Sequence, residues 1–181
     1  IEQYGSDSSQ HRGISLQFSS QNHIHNNTLS NSEVTGIALG DNSAFNRVTD
    51  NRLTRIEWYG ISIVHETNYV AGNVLTETES TGIVVNGDWN EVVTNELFDT
   101  EGIGIEVYGV YNVVSGNDLS GGGLAPPIQV SGDWNRLAGN TVDAAGWDAV
   151  IVTGSNNLFT GNQLTNGDIG FLVTSDWNQF N

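Results

Sequence analysis

The chain has 181 residues and a formal net charge of −16, because 21 Asp and Glu residues face only 5 Lys and Arg residues. This balance excludes a nucleic-acid-binding surface, which would neutralise phosphates with Lys and Arg. No apolar run reaches the ~20 residues that a membrane-spanning helix needs, so no membrane insertion is expected. The absence of Cys excludes disulfides, thiolate metal sites and cysteine nucleophiles.

One repeat runs along the whole chain and is marked by two Asn residues five positions apart. The first Asn recurs every 21–24 residues, at Asn22, Asn46, Asn68, Asn90, Asn112, Asn135, Asn157 and Asn178. The second Asn recurs at Asn27, Asn51, Asn73, Asn95, Asn117, Asn140 and Asn162. A short segment of the type Gly-Ile-x-Val precedes each first Asn, as in Gly82-Ile-Val-Val85. The chain is therefore built from eight similar units.

Within each unit, short stretches alternate apolar and polar residues and are separated by Gly, Asn, Asp and Ser, which predicts strands joined by turns. In the fourth unit we expect Ile83, Val85 and Val92 to face inward. The residues expected to face solvent in that unit are Val84, Glu91, Val93 and Glu96. Such a unit needs its neighbours to bury its inward face, so the pattern predicts a solenoid of stacked parallel strands.

The recurring Asn side chains suit the turns of such a solenoid. An amide has both donors and an acceptor, so stacked Asn residues can bond along the stack and cap turn backbone. The interpretation as structural ladders leaves open a row of sugar-binding amides as its alternative.

The motif Gly-Ile-x-Val … Asn-x-Val-x-Gly-Asn-x-Leu resembles the right-handed parallel β-helix repeat. This repeat is seen in pectate-lyase-like proteins, in NosD-like proteins and in the group of carbohydrate-binding proteins and sugar hydrolases. The resemblance covers all units. It implies an all-β, right-handed solenoid of about eight coils of 21–24 residues, with three parallel sheets and Asn ladders at the turns. We expect residues 1–181 to form a single β-helix domain without terminal caps, as a processed form or a segment of a longer chain. The fold alone does not select a function, because it carries lyases, hydrolases, epimerases and structural proteins.

The turn before the first Asn holds the best candidate for a binding surface. Three copies are near-identical, Gly87-Asp-Trp-Asn90, Gly132-Asp-Trp-Asn135 and Ser175-Asp-Trp-Asn178. Aromatic faces with carboxylates beside them suit sugar rings, since CH groups stack on the ring and carboxylates accept hydroxyl protons. The predicted carbohydrate-binding residues are Asp88, Trp89, Asp133, Trp134, Asp176 and Trp177, with Phe45 and Tyr111 in the same column. The alternative is that the aromatic residues only cover the turn.

A second candidate lies near the start of the chain, where all four His and four of the five Arg residues occur. His23, Arg47 and Tyr69 fall in one predicted outward column, with His25 beside them. In polysaccharide lyases of this fold a base abstracts a proton while cations neutralise the uronate, so Arg47 would bind a carboxylate and His23 or Tyr69 would transfer a proton. The alternative is a solvated face with scattered charge, and the two His residues alone make no convincing copper or zinc site.

No cofactor is predicted. Paired carboxylates occur as Glu77 and Glu79, Asp99 and Glu101, and Asp143 and Asp148, and calcium is the ion that such hard oxygen ligands suit. No calcium-binding motif supports that assignment, so solvated loops are the simpler interpretation and no metal site is assigned.

The leading functional hypothesis is an extracellular or cell-surface β-helix with a structural role that stacks end to end through open coil edges. The rival is a polysaccharide-active protein, whether lyase, hydrolase, epimerase or carbohydrate-binding part. The predicted partners are thus further copies of the chain or a polysaccharide.

Overall fold

The computed structural model describes residues 13–123, 125–144 and 148–181. In these residues the chain forms 23 short strands and no helix. The described residues therefore contain no helix that is long and apolar enough to cross a membrane. The strands build three parallel sheets of eight, eight and seven strands, and successive strands of one sheet come from successive units. The all-β solenoid with three parallel sheets is confirmed. The coil makes about seven turns, because the eighth unit supplies only two strands.

Sheet 1 contains the Gly-Ile-x-Val segments. Its strands are β1 (Ile14–Leu16), β4 (Thr35–Leu39), β7 (Tyr59–Ile63), β10 (Thr81–Val85), β13 (Ile105–Val107), β16 (Ile128–Val130), β19 (Val150–Val152) and β22 (Phe171–Val173).

Sheet 2 follows the first Asn of each unit. Its strands are β2 (His23–His25), β5 (Arg47–Thr49), β8 (Tyr69–Ala71), β11 (Glu91–Val93), β14 (Val113–Ser115), β17 (Arg136–Ala138), β20 (Leu158–Thr160) and β23 (Gln179–Phe180).

Sheet 3 follows the second Asn. Its strands are β3 (Thr28–Ser32), β6 (Arg52–Ile56), β9 (Val74–Thr78), β12 (Glu96–Thr100), β15 (Asp118–Ser120), β18 (Thr141–Asp143) and β21 (Gln163–Thr165).

The core is a stack of apolar side chains from all three sheets, in which equivalent positions lie directly over one another. In sheet 1, for example, Ile83 pairs with Ile61 on one side and with Ile105 on the other. These three Ile residues are completely buried, and so are the two other residues of the fourth unit that were predicted to face inward, Val85 in sheet 1 and Val92 in sheet 2. The inward column predicted from the sequence is therefore confirmed.

The outer face of sheet 1 differs from the expectation for Val84, which was predicted to face solvent. Val84 is only 3% exposed, and its outward neighbours Ser62 and Glu106 are each 8% exposed. Large side chains at the two ends of the strands, such as Tyr59 and Tyr108, border this face. From Ala38 to Glu106 the outer face of sheet 1 is therefore the floor of a cleft. Glu91 and Glu96 on the other sheets are exposed as predicted.

Both Asn columns form hydrogen-bonded ladders, as predicted. In the first column each backbone N–H donates to the Asn Oδ1 of the next coil, at 2.7–2.9 Å. In the second column the backbone N–H makes the same bond at 2.9–3.0 Å. The second ladder also joins Nδ2 to Oδ1 between coils. The Nδ2 atoms of Asn90 and Asn112 in the first ladder are buried without a hydrogen-bond partner.

Candidate functional site

The residues directly before the first Asn of each unit form a corner of the coil, and they occupy equivalent positions on successive coils. From Phe45 to Asn156, the backbone N–H of each donates to a backbone carbonyl of the next coil at 3.1–3.4 Å. Each residue has a positive φ near 60°, a conformation that turns the chain sharply into the Asn ladder. We call the exposed rings of this corner the aromatic row: Phe45, Trp89, Tyr111, Trp134 and Trp177.

The middle of the aromatic row is a stack of three rings. Trp89 and Tyr111 lie 4.4 Å apart between centroids with a 16° angle between their planes. Tyr111 and Trp134 lie 6.3 Å apart at 22°. Tyr111 therefore covers the inner face of Trp89 and lies opposite the inner face of Trp134 at a wider spacing. Their outer faces point along the row toward the neighbouring coils.

Two coils of this corner carry a small polar residue instead of a ring. Thr67 lies between Phe45 and Trp89, and Asn156 lies between Trp134 and Trp177. Thr67 is exposed and Asn156 is half-buried. The row is therefore interrupted beside each outer face of the three-ring stack.

The carboxylates beside the Trp residues have a structural contact that sequence reasoning missed. Asp88 Oδ1 accepts the backbone N–H of Val110 at 2.8 Å, and Asp133 Oδ1 accepts that of Ser155 at 2.7 Å. Both carboxylates thus cap the corner of the following coil with one oxygen. The second oxygen of each is left for other contacts, and Asp176 on the last coil is exposed.

The residues of the second predicted site lie in one column, as the repeat predicts. His23, Arg47 and Tyr69 are direct neighbours in sheet 2, through β2, β5 and β8. The Arg47 guanidinium lies over the Tyr69 ring, 4.5 Å from its centroid. His23 Nε2 is 2.8 Å from Thr49 Oγ1, and the His23 and His25 rings stack with centroids 4.3 Å apart. The contacts therefore fall into two groups, Arg47 with Tyr69 and His23 with His25 and Thr49.

The cleft on the outer face of sheet 1 holds residues that the sequence analysis did not single out. An open hollow of about 300 Å³ lies between Trp58, Tyr59, Ser62 and Gln17. Farther along the same face, Tyr108 OH donates to Glu106 Oε1 at 2.5 Å. This hydrogen bond, together with burial and the charge of Glu106, raises the pKa of Tyr108 to about 12. The sequence signal for this cleft is a polar residue within an apolar strand, as at Ser62 and Glu106.

The paired carboxylates come together in part. Glu77, Glu79, Asp99 and Glu101 line one open hollow of about 400 Å³, with Arg55 at its edge. Arg55 Nε lies 3.8 Å from Glu77 Oε2. The third pair lies elsewhere, where Asp143 Oδ1 accepts Asn166 Nδ2 at 3.0 Å. Among the described residues, no group of three or more His, Asp or Glu side chains has a geometry that could hold a metal ion.

Comparison with known families matches the chain to the family described as periplasmic copper-binding protein (NosD), over residues 4–123 and 67–181. These overlapping matches cover nearly the whole chain, so the chain belongs to this β-helix family. Neither a curated protein nor a solved structure matched the chain.

The described residues do not fit the copper of the family description. The chain has no Cys and no Met, which removes the soft ligands that Cu(I) prefers. His23 and His25 form the one imidazole pair of the described residues, but their rings stack face to face. His25 Nδ1 is 3.0 Å from the side-chain amide of Asn26, and His23 Nε2 contacts Thr49. We therefore assign no role to copper.

Proposed function

We propose that this protein acts outside the cytoplasm as a β-helix that binds a neutral polysaccharide without cleaving it. The observation that carries the proposal is the aromatic row, whose rings are between 42% and 81% exposed. Exposed aromatic rings gathered on one corner mark an interaction site more often than scattered apolar residues do.

The chemistry of the row suits carbohydrate. Sugar rings have apolar CH faces that pack on aromatic rings and hydroxyl groups that donate to carboxylates. Each Trp of the row follows an Asp in the chain, namely Asp88, Asp133 and Asp176. The net charge of −16 disfavours an anionic polymer, because like charges repel at the surface. A neutral polysaccharide is therefore the partner that fits best.

The location is part of the proposal. It is supported by the family description, which names a periplasmic protein. The proposal assigns no catalysis to the His23–Arg47–Tyr69 column, in which the Arg47 guanidinium lies on the Tyr69 ring.

The binding test is affinity electrophoresis against a panel of neutral and acidic polysaccharides. We expect retardation by at least one neutral polymer and at least tenfold weaker binding after Trp89→Ala together with Trp134→Ala. Trp58→Ala is the matched control, because Trp58 is also 57% exposed but lies outside the row. Loss of binding in the control alone would move the site to the cleft of sheet 1, and no retardation by any polymer would refute the proposal.

The lyase alternative is tested separately with uronate polymers. A lyase would create unsaturated ends that absorb ultraviolet light, and the signal would disappear in His23→Ala. We expect no such absorbance from the unmodified protein.

A further inference from the structure

We propose that the two interruptions of the aromatic row are binding slots, each of which takes one pyranose ring between two aromatic faces. This inference rests on the proposed function and deepens it. The Thr67 slot has Phe45 and Trp89 as walls, and the Asn156 slot has Trp134 and Trp177.

The width of each slot follows from the coil spacing. The walls stand two rungs apart, and neighbouring parallel strands are about 4.8 Å apart, so the walls are separated by about 9.6 Å. A flat ring in contact with both walls needs about 7–8 Å, from van der Waals separations of about 3.5–4.0 Å on each side. A puckered pyranose ring is thicker than a flat one and takes up the remaining gap.

By contrast, Trp89 and Tyr111 have no such room between them. Their centroids are 4.4 Å apart, which is already contact distance. The Tyr111 and Trp134 centroids are 6.3 Å apart, which is also less than the about 7–8 Å that a ring between two faces needs. A sugar ring therefore cannot enter the three-ring stack from the side. The accessible aromatic faces are those that border Thr67 and Asn156.

The floor and edges of the slots are polar, as a ring with a hydroxyl edge requires. Asn156 offers an amide donor and acceptor at the floor of one slot, and Thr67 offers a hydroxyl at the floor of the other. Asp133 and Asp176 flank the Asn156 slot, and Glu66 and Asp88 flank the Thr67 slot. Two carboxylates at each slot favour a neutral sugar over a uronate.

The two slots are in register with each other on one face of the rod. Thr67 and Asn156 are four rungs apart, a separation of about 19 Å at about 4.8 Å a rung. A polysaccharide that crosses the corner at one slot and returns at the other would contact both. Such a bivalent contact binds a polymer more tightly than a single sugar.

The test fills a slot or opens a new one. Asn156→Trp and Thr67→Trp complete the stack, and Tyr111→Thr copies the Thr67 arrangement between Trp89 and Trp134. The backbone accepts these changes, because Trp already occurs at this corner with φ of 57°, 59° and 62°. Trp177→Ala removes one wall and leaves the fold intact, since Trp177 is 81% exposed.

Binding is measured by calorimetric titration with hexasaccharides of glucose, mannose and xylose. We expect each filling variant and Trp177→Ala to bind at least tenfold more weakly, and Tyr111→Thr to bind at least as tightly as the unmodified protein. If the filling variants keep full affinity while the double Trp89→Ala, Trp134→Ala variant loses it, the slots are refuted and the proposed function stands. If the unmodified protein binds none of the sugars or polymers tested, both are refuted.

Discussion

At the residue scale, the Asn side chains of the second ladder make several hydrogen bonds each. Asn73 is fully buried. Its Nδ2 donates to Val48 O, Ala71 O and Asn95 Oδ1, and its Oδ1 accepts both the backbone and the side-chain N–H of Asn51. The amide thus ties three coils together.

We predict that Asn73→Ala lowers the free energy of unfolding by about 3 kcal/mol or more, because several buried partners lose their hydrogen bonds at once. Urea denaturation followed by circular dichroism measures the loss. Asn86→Ala is the control, since Asn86 is exposed and lies outside both ladders. Equal effects of the two substitutions would show that a ladder Asn contributes no more to the free energy of unfolding than an exposed Asn does.

Tyr108 is the residue whose titration reports on the cleft of sheet 1. Its pKa is raised from 10.0 to about 12, first of all by its hydrogen bond to Glu106. The neutral phenol is thus favoured in the folded protein, so this contribution to stability is complete below pH 10 and is lost as the pH rises through about 12.

We predict that one tyrosine ionises near pH 12 in an ultraviolet titration of the folded protein, and that Tyr108→Phe removes this step. Glu106→Gln should move the step toward pH 10, because the charge and the acceptor that favour the phenol are weakened. Glu96→Gln alters an exposed carboxylate and should leave the step in place. A Tyr108 titration unaffected by Glu106→Gln would contradict the assigned cause.

At the element scale, the Gly column of sheet 1 allows the coils to close. A methyl group added to Gly82 would lie 2.5 Å from Leu97 Cδ2 and 2.6 Å from the carbonyl oxygen of Gly104. Leu97 belongs to sheet 3 and Gly104 to the next coil, so the missing side chain admits both at once. The equivalent Gly36 and Gly60 have the same contacts with their own neighbours.

We predict that Gly82→Ala destabilises the fold by about 3 kcal/mol, at the upper end for overpacking, since a backbone carbonyl is one of the groups in the way. Gly170→Ala is a matched control at the same motif position, where the methyl group would be 3.6 Å from Leu164 Cδ1. Thermal unfolding compares the two, and an equal loss for both would contradict the steric explanation.

Also at this scale, the strand pattern explains why so much of the fold was predictable. Each inward residue packs on the same position of the next unit, so the eight units place equivalent residues in similar surroundings. The burial of Ile83 could therefore be predicted from the seven equivalent residues, which are all apolar. Val84 was misjudged because strand alternation gives the face of a residue but not what lies above that face. The side chains that border the cleft, such as Tyr59 and Tyr108, lie at the ends of the strands, where the alternation pattern carries no information.

At the scale of the whole molecule, self-association through the ends of the coil stack stays a prediction from the sequence. Parallel edge strands present unpaired N–H and C=O groups that pair readily with another chain. The net charge of −16 opposes such contacts, and salt screens that repulsion.

We therefore expect negative-stain electron microscopy to show fibres or sheets with a regular repeat, longer at high than at low salt. Nonspecific aggregates would show no regular repeat in the images. Gel filtration at both salt concentrations measures how much of the protein has associated. Discrete short rods under both conditions would contradict the prediction and leave glycan binding as the function to pursue.

The sequence by itself determined the solenoid, the Asn ladders and the alignment of His23, Arg47 and Tyr69, because a regular repeat places equivalent residues one above the other. The three sheets were implied by the resemblance of the repeat to the β-helix family. Only the tertiary structure decided how the side chains of each column meet. It stacked Trp89 on Tyr111, placed Arg47 on Tyr69 and used one oxygen of Asp88 to cap the next coil. These contacts depend on rotamers and on distances between coils, and a one-dimensional pattern contains neither.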